Sequence, residues 1–292
     1  MPASFLPPQV KYLSEPTSIA LAERIERQPI QTALSTQPIA TAYIRQGSGG
    51  TPILLLHGFD SSVFEFRRLL PLLAAQNETW ALDLLGFGFT ERLTGLPFAP
   101  PAIKAHLYAF WKSLIQQPMI LVGASMGGAA AIDFALTFPQ LVHKLVLIAS
   151  VGYSGSFPLA QFLAPPFDFL AMEWWRQRKL QPLAFYSTFA PWDIASQEAL
   201  RCAALHLEMP GWYEALLAFT KSGGYSLQQQ ITQVQSPTLI LWGEQDDMLG
   251  TSDAAKFKRD IAQSQLIWLK GCGHVPHLEQ PQLTAQHILA FR

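Results

Sequence analysis

The strongest constraint on how this chain can fold lies between residues 119 and 139. Met119-Ile-Leu-Val122 is a short apolar run of the kind that forms a buried strand. Gly123-Ala-Ser-Met-Gly127 follows. Ala129 to Phe138, alanine-rich and stopped by Pro139, then predicts a helix. A strand that enters a helix through one serine needs a tight, strained turn, and flanking glycines remove the Cβ atoms that would clash there. Such a turn lifts the Ser125 hydroxyl above the sheet. It lies beside the first helical N–H groups, which lack partners within the helix and can bind a developing negative charge. The bland alternative is an ordinary glycine-rich βα turn.

The flanking chain repeats the strand–helix rhythm. Pro52–Leu56 and Thr79–Asp83 read as strands, and so do Lys144–Ala149, Thr238–Trp242 and Gln265–Leu269. Helices are expected over Val63–Ala75, 101–116, 252–261 and 282–291. Strands apolar on both faces predict an α/β fold with a mostly parallel sheet covered by helices on each side. Ahead of them, Ile30–Leu34 and Ile39–Arg45 are expected to form a hairpin through Ser35–Pro38. Residues 1–28, with a short amphipathic helix over Ser18–Arg27, read as an extension packed on the outside. With 49% apolar and 14% charged residues among 292, the chain can bury one large α/β core and an insertion.

That insertion is expected over 152–229, where the strand pattern stops and aromatic residues accumulate at helical spacing. Residues 29–151 and 230–292 then form the core and 152–229 a helical cap. The aromatic side chains serve either as the core of a small helical layer or as a pocket lining. Trp174 and Trp192 are the candidates for the lining.

Serine is a weak nucleophile unless an oriented base takes its proton. Two later strands end in groups that can serve. Trp242-Gly-Glu-Gln-Asp-Asp247 follows one and Gly271-Cys-Gly-His274 the other. Functional groups in open α/β sheets gather at the carboxyl ends of strands. Asp246 and Asp247 both stand as candidates for the acid. His277 reads as a structural or rim histidine, and Asp83 ends a strand. His106, His143, His206 and His287 are most simply surface residues.

Four marks in order, His57-Gly-Phe59, Gly123-Ala-Ser-Met-Gly127, Trp242-Gly-Glu-Gln-Asp246 and Gly271-Cys-Gly-His274 with Glu279 and Pro281 behind it, resemble the α/β-hydrolase superfamily. The likeness is to its cap-bearing branch of esterases and C–C hydrolases and covers the chain from about residue 30. The resemblance implies Ser125 as nucleophile, His274 as base and Asp246 as the acid that orients it. It implies an oxyanion hole from the backbone N–H groups of Phe59 and Met126, with both side chains bordering the pocket. Serine at 125 argues against the haloalkane dehalogenases and epoxide hydrolases of similar layout, which use aspartate there.

The resulting expectation is a hydrolase that cleaves a carboxylic ester of an apolar or aromatic small molecule through an acyl-enzyme, with no cofactor and no metal. Three other readings remain open. The first is C–C bond hydrolysis, or elimination like that of a menaquinone-pathway synthase; it wants a cationic clamp, for which Arg176, Arg178, Lys179, Arg201 and Lys221 are available. The second is cofactor-free haloperoxidase-like chemistry, and the third is a small-molecule receptor with slow turnover. A net charge of −1 gives no reason to expect nucleic acid as a partner. No stretch reads as an integral membrane segment or a secretory signal. Two distant cysteines, Cys202 and Cys272, suit reduced thiols in a cytoplasmic protein.

Overall fold

The structure, a computed structural model, describes residues 2–189 and 192–291. Its centre is an eight-stranded sheet of order β1-β2-β4-β3-β5-β6-β7-β8. The strands are β1 (Glu26–Ile30), β2 (Ile39–Gln46), β3 (Ile53–Leu56), β4 (Thr79–Leu82), β5 (Met119–Ala124), β6 (Val142–Ile148), β7 (Thr238–Gly243) and β8 (Ser264–Leu269). β2 runs antiparallel to β1 and β4, and every other pairing is parallel.

Successive side chains on each inner strand enter opposite cores, which is why these runs read as continuously apolar. Leu54, Leu56, Leu121, Leu145 and Leu147 face one layer, while Ile53, Leu55, Val122, Val146 and Ile148 face the other. All ten are fully buried. Each contributes roughly 1.5–3 kcal/mol of transfer free energy. One layer is closed by α3 (Pro100–Phe110), α4 (Met126–Thr137) and α8 (Ser252–Asp260). The other is closed by α1 (Pro16–Arg24), α2 (Leu70–Ala74) and α10 (Pro281–Ala290), which follows the single-turn α9 (Pro276–Glu279).

β3 lies between β4 and β5, so the chain leaves β3 towards one side of the sheet and later returns to its other side. Such a switch point opens a crevice at the carboxyl ends of the strands. The loop after β3 carries Phe59 and the turn after β5 carries Ser125, so both border that crevice. Between β6 and β7 the chain forms α5 (Phe167–Phe189), α6 (Ile194–Ala204) and α7 (Trp212–Lys221), with no strand among the described residues of that stretch. No helix among the described residues is long and apolar enough to cross a membrane.

Several expected boundaries move. The first hairpin strand is Glu26–Ile30, not Ile30–Leu34, and pairs Ile30 with Ile39. It is an edge strand with only Ile30 buried, and Pro29 is tolerated there because an edge N–H need not bond. It therefore carries little apolar signal, and the sheet reaches into the stretch read as an extension. That extension is tied down as well, since Leu6, Leu13, Leu21 and Ile25 are buried. Its helix is Pro16–Arg24 rather than Ser18–Arg27. The helix expected over Val63–Ala75 divides into a 3-10 turn, Val63–Phe66, and the short α2. The one expected to 116 gives way after Phe110 to a π turn, Trp111–Ile115, closed by Gln116 at φ 59. α4 starts at Met126, directly after the serine, rather than at Ala129.

Candidate active site

Ser125 sits between β5 and α4 with φ 51 and ψ −118, a left-handed conformation rare outside glycine. Strain of this kind costs ~1–3 kcal/mol and persists only where the surroundings enforce it. Here the Ser125 N–H donates to Ile148 O at 2.9 Å, and its carbonyl accepts from the N–H groups of Gly128 and Val151, each at 3.0 Å. A Cβ on Gly123 would collide with Gly127 O, and one on Gly127 with Leu56 O, so glycine is required at both positions.

His274 and Asp246 reach the same place from the ends of β8 and β7. His274 Nδ1 lies 2.9 Å from Asp246 Oδ2. An ionised carboxylate only accepts, so Nδ1 carries the proton and Nε2 is left to act as a base. Asp246 Oδ1 accepts from the N–H groups of Met248 and Leu249 at 2.9 and 3.0 Å. Asp246 is buried whereas Asp247 is exposed. Of the two candidate acids, the structure brings Asp246 to the histidine.

Ser125 and His274 line one cavity of about 340 Å³. Its wall also includes Phe59 and Phe64, Trp175 from α5, and Ala199 and Ala203 from α6. Cys202 lies on the wall too, but burial pushes its thiol up to about 11, which keeps it protonated and a poor nucleophile. The cations on the wall are Arg67 and Lys179. They are matched by Glu15 at 3.2 Å and Asp60 at 2.7 Å. Among the described residues, no cluster of three or more His, Cys, Asp or Glu side chains is arranged to hold a metal.

The loop after β3 is held from below. His57 Nδ1 donates to Gly58 O at 2.8 Å, and its Nε2 accepts from the Leu84 N–H at 3.1 Å. Both ring nitrogens are thus engaged, and burial pushes the ring below its ordinary pKa. Glu65 accepts from the Gly58 N–H at 3.0 Å and lies 2.9 Å from His277 Nε2. Burial alone would raise the Glu65 carboxyl, but His277 beside it holds it down at about 2. Asp83 accepts from the N–H groups of Val63 and Phe89, at 2.6 and 2.7 Å, and so shapes the neighbouring turn. Among the described residues no hydrogen bond uses the backbone N–H of Phe59 or of Met126.

Some expected residues lie elsewhere. Trp174 and Trp192 are 58% and 77% exposed and do not reach the cavity. Trp175, next to Trp174 in sequence, does. Adjacent residues on a helix point about 100° apart, so aromatic content alone does not tell which ring turns inward. Met126, expected to border the pocket, is buried in the core. His106 and His206, read as surface residues, are fully buried. The five cations considered for a clamp all have other engagements. Lys179 pairs with Asp60, Arg176 with Glu173 and Glu208, and Lys221 with Asp168. Arg178 lies over Trp174, and Arg201 donates to Tyr12 O. Sequence reasoning passed over Asp60, although it stands next to Phe59. Its partners lie 115 to 152 residues away, too far for any local pattern to signal them.

Comparison with known proteins matches residues 53–287 to the model of the alpha/beta hydrolase family. The chain is 34% identical to alpha/beta hydrolase domain-containing protein VTE7 of Arabidopsis thaliana, over 99% of this chain and 89% of that one. It is 29% identical to 2-hydroxy-6-oxo-2,4-heptadienoate hydrolase of Pseudomonas putida, over 79% and 85%. To monoacylglycerol lipase ABHD6 of Homo sapiens it is 26% identical, over 82% and 74%. A strained serine between strand and helix, the family's sheet and these relatives agree: the chain belongs to the alpha/beta hydrolase family.

Proposed function

We propose that the protein is a serine hydrolase that cleaves a neutral carboxylic ester of an apolar small molecule through an acyl-enzyme. The observation that carries this is the sharing of one cavity wall by Ser125 and His274, with His274 held by Asp246. In the first step His274 Nε2 takes the Ser125 proton as Oγ attacks the ester carbonyl. The Phe59 and Met126 N–H groups stabilise the oxyanion. Collapse expels the alcohol, which takes its proton from His274. Water, deprotonated by the same ring, then attacks the acyl-enzyme and releases the acid. The helices between β6 and β7 serve as a cap that roofs the cavity and excludes water.

The relatives divide between a C–C hydrolase whose substrate is named as a carboxylate and a lipase whose substrate is an ester. The balance of charge on the cavity wall favours the ester. Lys179 is met by Asp60, Arg67 by Glu15 and His277 by Glu65, so a substrate carboxylate would add an anion with no spare cation on the wall to meet it.

The test is a series of p-nitrophenyl esters of graded chain length run beside a vinylogous 1,5-diketone acid. Sustained ester turnover with little or no cleavage of the diketone is expected. Cleavage of the diketone alone would overturn the ester reading.

A further inference from the structure

Asp60 follows Phe59, and its carboxylate is 1% exposed. Its φ of 48 is left-handed, a region that Asp tolerates better than most residues. Four donors converge on this one carboxylate. Oδ1 faces His206 Nε2 at 2.9 Å and Trp212 Nε1 at 2.8 Å. Oδ2 faces Trp175 Nε1 at 2.9 Å and Lys179 Nζ at 2.7 Å. Lys179 also donates to the main-chain carbonyl of Asp60.

All four donors belong to the stretch between β6 and β7. Trp175 and Lys179 are one helical turn apart on α5, His206 lies in the turn after α6, and Trp212 opens α7. The Phe59 ring meets the same stretch, packing on Phe157, Trp175 and Phe219 with centroids 5.2, 5.3 and 5.7 Å away. Burial, with Lys179 beside it, lowers His206 to about 4, so the neutral ring donates its Nε2–H. The cluster thus holds one anion and one cation and is balanced.

The geometry points to Asp60 as a positioning residue that couples the helices between β6 and β7 to the oxyanion loop, so that the Phe59 N–H is aimed when those helices are docked. The role rests on the hydrolase reading above. Phe59 stands between two anchors. Gly58 is fixed to the core through Glu65 and His57, and Asp60 is fixed to the helical layer. A displacement of about 1 Å at a reacting group can cost on the order of 100-fold in rate. A lost anchor at Asp60 should therefore appear in kcat before it appears in KM.

Asp60→Asn keeps the shape but sets an amide NH2 against donors and leaves the Lys179 ammonium without its counter-ion. Trp212→Phe keeps the ring and removes one donor. With p-nitrophenyl acetate, Trp212→Phe is expected to lower kcat about 3–10-fold and Asp60→Asn about 100-fold, with KM within about twofold. Deuterium uptake should rise in peptides covering 57–62 and 175–212, with β3 and β5 still protected. Both variants retaining kcat within about twofold would overturn the role. So would faster exchange confined to 175–212, which would mark Asp60 as a stabiliser of the helical layer alone. If the wild type turns over no ester, the hydrolase reading fails separately; unchanged exchange in 57–62 would then overturn the coupling and faster exchange there would support it. If Asp60→Asn does not fold, Trp212→Phe decides.

Discussion

At the scale of single residues, the two neighbouring acids on the β7 loop provide a clean contrast. Asp246→Asn replaces an obligate acceptor with a group that can also donate to Nδ1, and the ring loses its fixed tautomer. Turnover of p-nitrophenyl acetate should fall on the order of 10⁴-fold in this variant and by less than about threefold in Asp247→Asn; equal damage would mean that the acid is misassigned. His106 allows a test by pH. It is fully buried, its Nε2 lies 2.8 Å from Thr41 Oγ1, and desolvation lowers it from 6.5 to about 4. Between those values the unfolded chain binds a proton that the folded chain refuses. The stability associated with a neutral His106 is therefore fully present above about pH 6.5 and is lost as pH falls towards 4. Urea unfolding of the wild type and His106→Gln should show a stability difference that shifts by roughly 3 kcal/mol against the wild type over that window. A difference independent of pH would contradict a buried neutral ring.

At the scale of elements, α6 presents Ala199 and Ala203 to the cavity, while Trp174 and Trp192 stay outside. Ala203→Phe should raise KM for long esters about tenfold and affect acetate little, whereas Trp174→Ala and Trp192→Ala should leave both within about twofold. A larger effect of the two tryptophans would reverse this account of the roof. The same contrast explains what the sequence could tell. β5, Ser125 and α4 were legible because a buried strand, a turn requiring glycine and an alanine-rich helix are each local patterns. The approach of Asp246 to His274 was legible as two strand ends in a family order. The inward ring, Trp175 rather than Trp174, was not, because helical facing depends on what the helix packs against. Nor were the burial of His206 and the partners of Asp60, which are contacts between distant segments. β1 escaped because an edge strand with one buried side chain has almost no apolar period.

At the scale of the whole molecule, the N-terminal segment holds core and helical layer together. The N–H and the Oγ of Ser14 both donate to Glu198 Oε2 on α6 at 2.9 Å. Glu15 pairs with Arg67 at 3.2 Å and with Arg68 at 2.7 Å. The Arg67 side chain is 2% exposed, so Glu15→Gln should cost about 2–4 kcal/mol in urea unfolding by leaving that guanidinium without its partner. A cost under about 0.5 kcal/mol would show the segment to be only loosely attached. The sheet, the two cores and the helical layer converge on one hydroxyl, and a single measurement addresses it. After treatment with a fluorophosphonate, peptide mass spectrometry should find the adduct on Ser125. Ser125→Ala should take up no label and lose ester turnover by about 10⁴-fold or more. An adduct on another residue, or an alanine variant that still hydrolyses esters, would contradict the account.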